Sequence, residues 1–340
     1  MHQALYRQFR SKTFEELTGQ EHIVKILKNQ IASGKISHAY LFNGGRGIGK
    51  TSVARIFAKA INCLGTGVKP CYKCEQCKLK DIENLDIIEI DAASNNGVDS
   101  IRELRETVKF LPVNSKYKVY IVDEVHMLSD GAFNAFLKTL EEPPSHVVFI
   151  LATTEAHKLP ATVLSRCMRF DFKQPTVAEI STLLRKVLTD AKITFDEESI
   201  EAIAEAADGS FRDALSIADS VAAAGNMKLE SKAVVNMLGA ISKKEVETLA
   251  NAIVKKDEKK TVQQAEKLLS EGKAVSALIK ELMKYFKNIV LEHAAKGTRA
   301  DALVYASLEK LAELEVELKN TLSPRLLFTV CLINTINTKG

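Results

Sequence analysis

The stretch Gly44-Gly-Arg-Gly-Ile-Gly-Lys-Thr51 fits the spacing G-x-x-x-x-G-K-[ST]. Its glycines, Gly44, Gly45, Gly47 and Gly49, lack a Cβ, so backbone N–H groups can turn inward around phosphate oxygens. Arg46, Ile48 and Ser52 complete the segment expected to hold the nucleotide. Lys50 supplies a point charge for the β- and γ-phosphates, and the Thr51 hydroxyl can ligate Mg²⁺. The helix expected over Thr51–Asn62 directs its positive end at the same anion. Because the glycines follow an apolar strand, Ala39-Tyr-Leu-Phe-Asn43, and open a helix, the match is a strong one and is read as an ATP-binding loop.

A second constellation, Val119-Tyr-Ile-Val-Asp123-Glu124, is an apolar strand ending in two acids. Asp123 suits the Mg²⁺ partner at a neighbouring strand tip, and Glu124 then polarises the attacking water. The competing reading, acids that merely begin a solvated loop, loses ground once the glycine-rich loop is present. Cys63, Cys71, Cys74 and Cys77 form C-x7-C-x2-C-x2-C, which brings four thiolates within reach of one metal. Structural Zn²⁺ is the first candidate for such a set, an iron–sulfur cluster the second, and disulfides are disfavoured in a reducing compartment. Four sulfurs leave no open position for water, so this metal braces a loop rather than acting in hydrolysis. Cys167 and Cys331 stand apart as small apolar residues. His126 makes the string Asp123-Glu-Val-His126 look like a helicase box. That reading needs a second α/β lobe, and the chain beyond residue 175 offers only helices.

The elements that must position these groups follow from pattern. Short apolar segments at Asp86–Ile90, Val119–Val122, Val147–Ala152 and Met168–Phe172 join Ala39–Asn43 as strands, separated by polar or helical stretches. Such alternation predicts a parallel sheet flanked by helices. Gly131–Glu141 reads as a helix stopped by Pro143-Pro144. After Pro175 the segments Val177–Asp190, Glu197–Ala207 and Ser210–Ala224 are helical, and from about Gly239 the chain stays helical and rich in Ala, Leu, Lys and Glu. Boundaries near Gln174 and Leu238 divide it into an α/β domain, 1–174, and two helical ones, 175–238 and 239–340.

Apolar residues make up 46% and charged residues 26% of the 340, as in soluble globular chains. No run approaches the roughly 18 apolar residues of a membrane span. Met1–Arg10 lacks the apolar stretch of a secretory signal, so the cytoplasm is the expected location. The net charge of +4 says little, but residues 1–60 hold ten Lys/Arg against three acids, which favours an anionic ligand.

Taken in order, Phe14-Glu-Glu-Leu-Thr-Gly-Gln-Glu-His22, the glycine loop, Asp123-Glu-Val-His-Met-Leu128, Leu137-Lys-Thr-Leu-Glu-Glu-Pro-Pro144, Leu151-Ala-Thr-Thr154, Leu164-Ser-Arg-Cys167 and Gly209-Ser-Phe-Arg-Asp-Ala-Leu215 closely resemble one family. It is the gamma/tau subunit of bacterial DNA polymerase III, the clamp-loader ATPase of the AAA+ class. The likeness runs from about Ala4 to Leu238. Ser165-Arg166-Cys167 together with the four-cysteine insert is specific to clamp-loader subunits, whereas the tail from Gly239 resembles the family's collar in character more than in motif. The chain departs from the pattern at Ser11, where a proline is usual, at Gly45, an added glycine, and in a slightly short first cysteine spacing.

The resemblance implies an AAA+ α/β domain with a five-stranded parallel sheet, a helical lid and an all-helical collar. It implies that Thr154 is the first sensor of the γ-phosphate and Arg212 the second. Arg166 is similar to the arginine finger, which acts on ATP bound to a neighbouring subunit. Tyr6, within Tyr6–Phe14, would help hold base and ribose. The implied partners are other clamp-loader subunits (delta, delta prime and further copies of this chain), a sliding clamp and primed double-stranded DNA, and no membrane. The chain would belong to a DNA-directed DNA polymerase holoenzyme, a transferase, without a polymerase site of its own. Arg102 and Arg105, on a helix expected over Ser100–Val108, are candidates for DNA phosphate contact, with a solvated helix face as the competing reading. An active loader ATPase is the leading expectation. A non-hydrolysing loader subunit and a remodelling ATPase or helicase are the alternatives.

Overall fold

Strands that alternate between two apolar faces organise the first part of the chain. The computed structural model describes residues 4–79, 84–225, 227–237, 241–318 and 321–337. β1 (Ala39–Asn43), β2 (Ile87–Asp91), β3 (Lys118–Asp123), β4 (Val147–Thr153) and β5 (Met168–Asp171) pair in parallel in the order β2-β3-β4-β1-β5. Around them lie α1 (Leu5–Gln8), α2 (Glu21–Ser33), α3 (Lys50–Ile61), α4 (Glu75–Lys78), α5 (Val98–Val108), α6 (Asp130–Glu141) and α7 (Ala161–Leu164).

On one face of the sheet Tyr40, Phe42, Val119, Ile121, Val148 and Ile150 pack against Val53, Ile56 and Phe57 of α3 and Ile23 and Leu27 of α2. On the other, Leu41, Tyr120, Val122, Phe149 and Leu151 meet Ile101 and Leu104 of α5 and Phe133 and Phe136 of α6. Burial on both sides is why β3 and β4 read as continuous apolar runs without alternation. The register sets Asn43 beside Thr153, and Val122 beside Leu151, so the C-terminal tips of β1, β3 and β4 are neighbours. In open parallel sheets that edge is where ligands bind.

After β5 come α8 (Val177–Asp190), α9 (Glu197–Ala206) and α10 (Phe211–Ala224). A capping box between Thr176 and Glu179 starts α8. The expectation of helices alone beyond residue 175 needs correction. β6 (Thr194–Phe195) and β7 (Lys228–Leu229) form a parallel pair, Thr194 with Lys228 and Phe195 with Leu229. Two-residue strands are too short to leave a periodic signal.

Compact units form at Met1–Leu229 and Glu230–Gly340. The second contains α11 (Ser231–Met237), α12 (Lys243–Val254), α13 (Glu258–Ser270), α14 (Val275–Ala295), α15 (Ala302–Glu317) and α16 (Pro324–Asn337). Its core includes Leu249, Ile253, Leu268, Leu278, Phe286, Leu311, Phe328 and Leu332. A five-stranded parallel sheet followed by helical segments is therefore the observed fold, as expected. The expected junction at Gln174 falls inside the first unit, and those at Leu238 and Gly239 lie outside the described residues. Among the described residues no helix is long and apolar enough to cross a membrane.

A buried carboxylate ties the start of β3 to the sheet. Asp86, 2% exposed, accepts N–H groups from Val113 (2.7 Å), Asn114 (3.0 Å) and Ser115 (3.0 Å). Burial alone would raise its pKa, but these hydrogen bonds outweigh it and leave the carboxyl below the ordinary aspartate value. Since the folded group titrates below the unfolded one, its stabilisation is full above roughly pH 4 and is lost as pH falls through the folded value. Replacing Asp86 by Asn sets an amide N–H₂ against these donors and should cost about 1–3 kcal/mol at pH 7. Urea denaturation checks this, and the difference should shrink in acid. An unchanged midpoint at pH 7 would contradict it.

Candidate functional site

The glycine loop joins β1 to α3 at the shared strand edge. Gly49 takes φ 104° as it caps α3, and Gly47 takes φ 72°, both in the region that a side chain disfavours. Lys50, only 5% exposed, donates from Nζ to Gly44 O (2.8 Å) and Gly45 O (2.7 Å). Burial lowers its pKa below the usual lysine value, while the charges of Glu124 and Asp123 pull the other way.

Across from the loop, Thr51 Oγ1 donates to Asp123 Oδ2 at 2.8 Å, and the Glu124 N–H donates to Asp123 Oδ1 at 3.0 Å. Both Asp123 oxygens are thereby oriented. Thr51 and Asp123 are hard oxygen donors side by side, a set that fits Mg²⁺, which keeps most of its positions for water and phosphate. Glu124 has φ 47°, unusual for a residue with a Cβ, and such backbone strain tends to gather at functional positions. Thr154 Oγ1 donates to Glu124 Oε2 at 3.2 Å. Lys50, Thr51, Asp123, Glu124 and Thr154 are thus brought together at one edge of the sheet.

The helical segment touches the same loop. The Arg212 N–H donates to Gly47 O at 3.3 Å, and a Cβ added at Gly47 would lie 2.1 Å from Ser210 Oγ. The Arg212 guanidinium stacks over the Tyr6 ring, 5.0 Å from its centroid. Arg7 and then Arg212 hold the Tyr6 phenol below its ordinary pKa through hydrogen bonds. Arg10 Nε donates to Ser52 Oγ at 3.0 Å. Tyr6, Ser52 and Arg212 therefore cluster around the loop, with a cation–π contact between residues from distant parts of the sequence.

Arg166 is not brought there. It follows α7 and precedes β5, whose first residue Met168 pairs with Tyr40 near the start of β1. That places it toward the N-terminal edge of the sheet, opposite the glycine loop. Its guanidinium donates to Glu141 Oε1 (2.8 Å) and Thr162 O (2.9 Å). Arg102 and Arg105 lie on α5, whose apolar side buries Ile101, Leu104 and Val108, and the exposed Arg102 donates to Asp99 at 3.0 Å.

The four cysteines converge: the Sγ atoms of Cys63, Cys71, Cys74 and Cys77 all lie within 4.8 Å of one another, and none is in a disulfide. Gly65 N–H points at Cys63 Sγ (3.4 Å) and Cys74 N–H at Cys71 Sγ (3.3 Å). The N–H groups of Lys73 and Cys74 lower the Cys71 thiol pKa. Burial raises that of Cys77, which a bound cation would reverse. A set of close, unoxidised sulfurs with N–H groups aimed at them fits a metal. Cys167 and Cys331 are partly buried against the apolar cores, and burial pushes the Cys167 thiol up to about 12.

Sequence reasoning passed over Thr153 and Glu155, and it noted His126 only as part of a resemblance to helicases. His126 Nδ1 lies 3.0 Å from Thr153 Oγ1, and its Nε2 lies 3.1 Å from Glu155 Oε2. The available signal was a histidine three residues beyond Asp123.

A β2-β3-β4-β1-β5 sheet, with the glycine loop after β1 and helices folded back onto that loop, defines the AAA+ arrangement. Solved structures agree on the fold. The RuvB Holliday junction branch migration motor of Thermotoga maritima has a TM-score of 0.52 over 72% of this chain and 79% of its own, at 17% identity. Sequence profiles narrow the class. Residues 19–176 match the profile described as DNA polymerase III, delta subunit. Residues 179–227 match DNA polymerase III clamp loader subunit, ATPase lid domain, and 229–328 match DNA polymerase III subunits gamma and tau domain III. DNA polymerase III subunit gamma of Buchnera aphidicola subsp. Acyrthosiphon pisum is 41% identical, over 85% of this chain and 80% of that protein. Subunit tau of Bacillus subtilis is 44% identical over 99% of this chain, and subunit tau of Escherichia coli is 41% identical over 85% of it. The chain belongs to the gamma/tau family of DNA polymerase III subunits. It spans 64% of the Bacillus subtilis protein and 45% of the Escherichia coli one.

Elemental analysis of the chain purified without chelator should find about one soft divalent metal per chain, as a closed four-sulfur set requires. Cys74→Ser should lose that metal and melt earlier. A metal-free wild type, or an unaltered Cys74→Ser protein, would contradict the assignment.

Proposed function

We propose that this chain is the ATP-hydrolysing subunit of a DNA polymerase III clamp loader, which uses ATP to open a sliding clamp and load it onto primed DNA. The observation that carries the reading is the Thr51–Asp123 hydrogen bond at the foot of the glycine loop, with Lys50 and Glu124 on either side. Family membership supplies the setting.

In this reading Gly44–Ser52 hold the phosphates, and Thr51 and Asp123 hold Mg²⁺. The metal would neutralise charge on the β- and γ-phosphates. Glu124 orients the attacking water, Thr154 and Arg212 sense the γ-phosphate, and Tyr6 packs near the base. Arg166, directed away from its own loop, completes the site of a neighbouring subunit. Such a finger is worth on the order of 10³-fold or more in rate. ATP thereby bridges two subunits and tightens their association. Hydrolysis breaks the bridge and releases the clamp around DNA.

The partners in this proposal are delta, delta prime and further copies of the chain, with the clamp and primed duplex as substrates, all in the cytoplasm. Arg102 and Arg105 would contact DNA phosphates, giving salt-sensitive, sequence-indifferent binding. The four cysteines would hold a structural Zn²⁺. The chain would divide functionally into an ATPase domain, 1–174, a lid, 175–238, and a collar, 239–340. Intact Lys50, Thr51, Asp123 and Glu124 favour a hydrolysing subunit over a passive one.

Clamp loading on primed DNA, followed with a labelled clamp in the full assembly, tests this. Lys50→Ala should slow ATP-dependent loading by about 10²-fold or more, because a charge facing the transferring phosphate is lost. Loading at the wild-type rate would overturn the proposal.

A further inference from the structure

His126 lies immediately beyond the acidic pair, in the 3₁₀ turn Val125–Met127, with its side chain only 7% exposed. Its ring is surrounded by oxygens. Nδ1 is 3.0 Å from Thr153 Oγ1 and 3.4 Å from Glu124 Oε2, and Nε2 is 3.1 Å from Glu155 Oε2. The Glu155 N–H donates to Thr153 Oγ1 at 3.0 Å, so the threonine hydroxyl that contacts Nδ1 is itself held in place. Lys158 Nζ donates to the Glu155 carboxylate at 2.9 Å and holds its pKa below the ordinary glutamate value. An ionised carboxylate only accepts, so Nε2 must carry the hydrogen.

The Nδ1 edge of the ring thus lies against Glu124 Oε2, 3.4 Å away. That oxygen takes its hydrogen bond from Thr154 Oγ1 on another side. We propose that His126 is a positioning residue for Glu124: anchored by Thr153 and Glu155, it confines the carboxylate on the Oε2 side, leaving Oε1 available to a water at the γ-phosphate. The inference rests on the hydrolytic reading of the site and deepens it. It also links Glu124 to the tip of β4 through two consecutive threonines, one on each partner of the pair: Thr153 on His126 and Thr154 on Glu124.

A double-mutant cycle in the full chain tests the role, with single-turnover hydrolysis at saturating ATP read beside the Kd of a fluorescent ATP analogue and the Tm. His126→Ala should lower the hydrolysis rate by about 10- to 100-fold, the scale of an ångström-level misplacement, with Kd unchanged. His126→Gln, whose amide can donate to Glu155 and accept from Thr153, should recover most of the rate. Because His126 acts through Glu124, His126→Ala should cost nothing further in a Glu124→Gln background. Multiplicative losses in the double variant, or a fall in rate that tracks losses in Kd and Tm and that Gln does not rescue, would overturn the proposal while leaving the hydrolytic site intact. Equal rates for wild type and Glu124→Gln would overturn the hydrolytic reading and this inference with it.

Discussion

The register of the parallel sheet is the constraint on which the site depends. Asn43 pairs with Thr153 and Val122 with Leu151, so the chain leaves β1, β3 and β4 at one edge and within side-chain reach. A glycine loop, an acidic pair and two threonines, widely separated along the chain, become one cluster because apolar strands buried on both faces cannot slip. A slip of one residue would turn Phe42 and Ile121 to the wrong face and carry Asp123 away from Thr51. The 2.8 Å hydrogen bond between those two side chains is the local expression of that register.

Two arginines mark the limits of what one chain assembles. Arg212 reaches the loop from α10 and stacks on Tyr6, so the helical segment and the extreme N-terminal part of the described chain meet over the phosphate-binding turn. Gly47 has no room for a Cβ there, which makes the contact part of the loop's own conformation. Arg166 is held by Glu141 and Thr162 toward the opposite edge of the sheet. An arginine that stabilises charge at a γ-phosphate cannot reach its own site from that place. In the proposed assembly it serves the neighbour's, which makes nucleotide occupancy a property of the junction between subunits.

Much of this was legible from residue types alone. The glycine spacing needs a strand before it and a helix after it, and both strand and helix carry their own apolar periodicity. The four cysteines announce themselves by spacing, since two successive C-x2-C steps bring thiolates together. Contacts between side chains far apart in sequence left no such trace. The Tyr6–Arg212 stack, the Asp86 clasp on residues 113–115 and the bonds of His126 to Thr153 and Glu155 depend on where the backbone returns. The pair β6–β7 was missed for a different reason, since two residues cannot display a period. His126 was visible as part of a motif, but its worth lies in partners that only the tip of β4 provides.

In the proposed assembly the glycine loop is half of a site whose other half belongs to a neighbouring subunit. Mixing two inactive variants tests it most directly. Lys50→Ala chains keep Arg166 but lack a working loop, whereas Arg166→Ala chains keep the loop but lack the finger. Reconstituted separately with the remaining loader subunits, clamp and primed DNA, each should hydrolyse ATP poorly, and co-assembly of the two should restore part of the activity at mixed junctions. No recovery on mixing, or full activity in the Arg166→Ala assembly alone, would contradict the shared site.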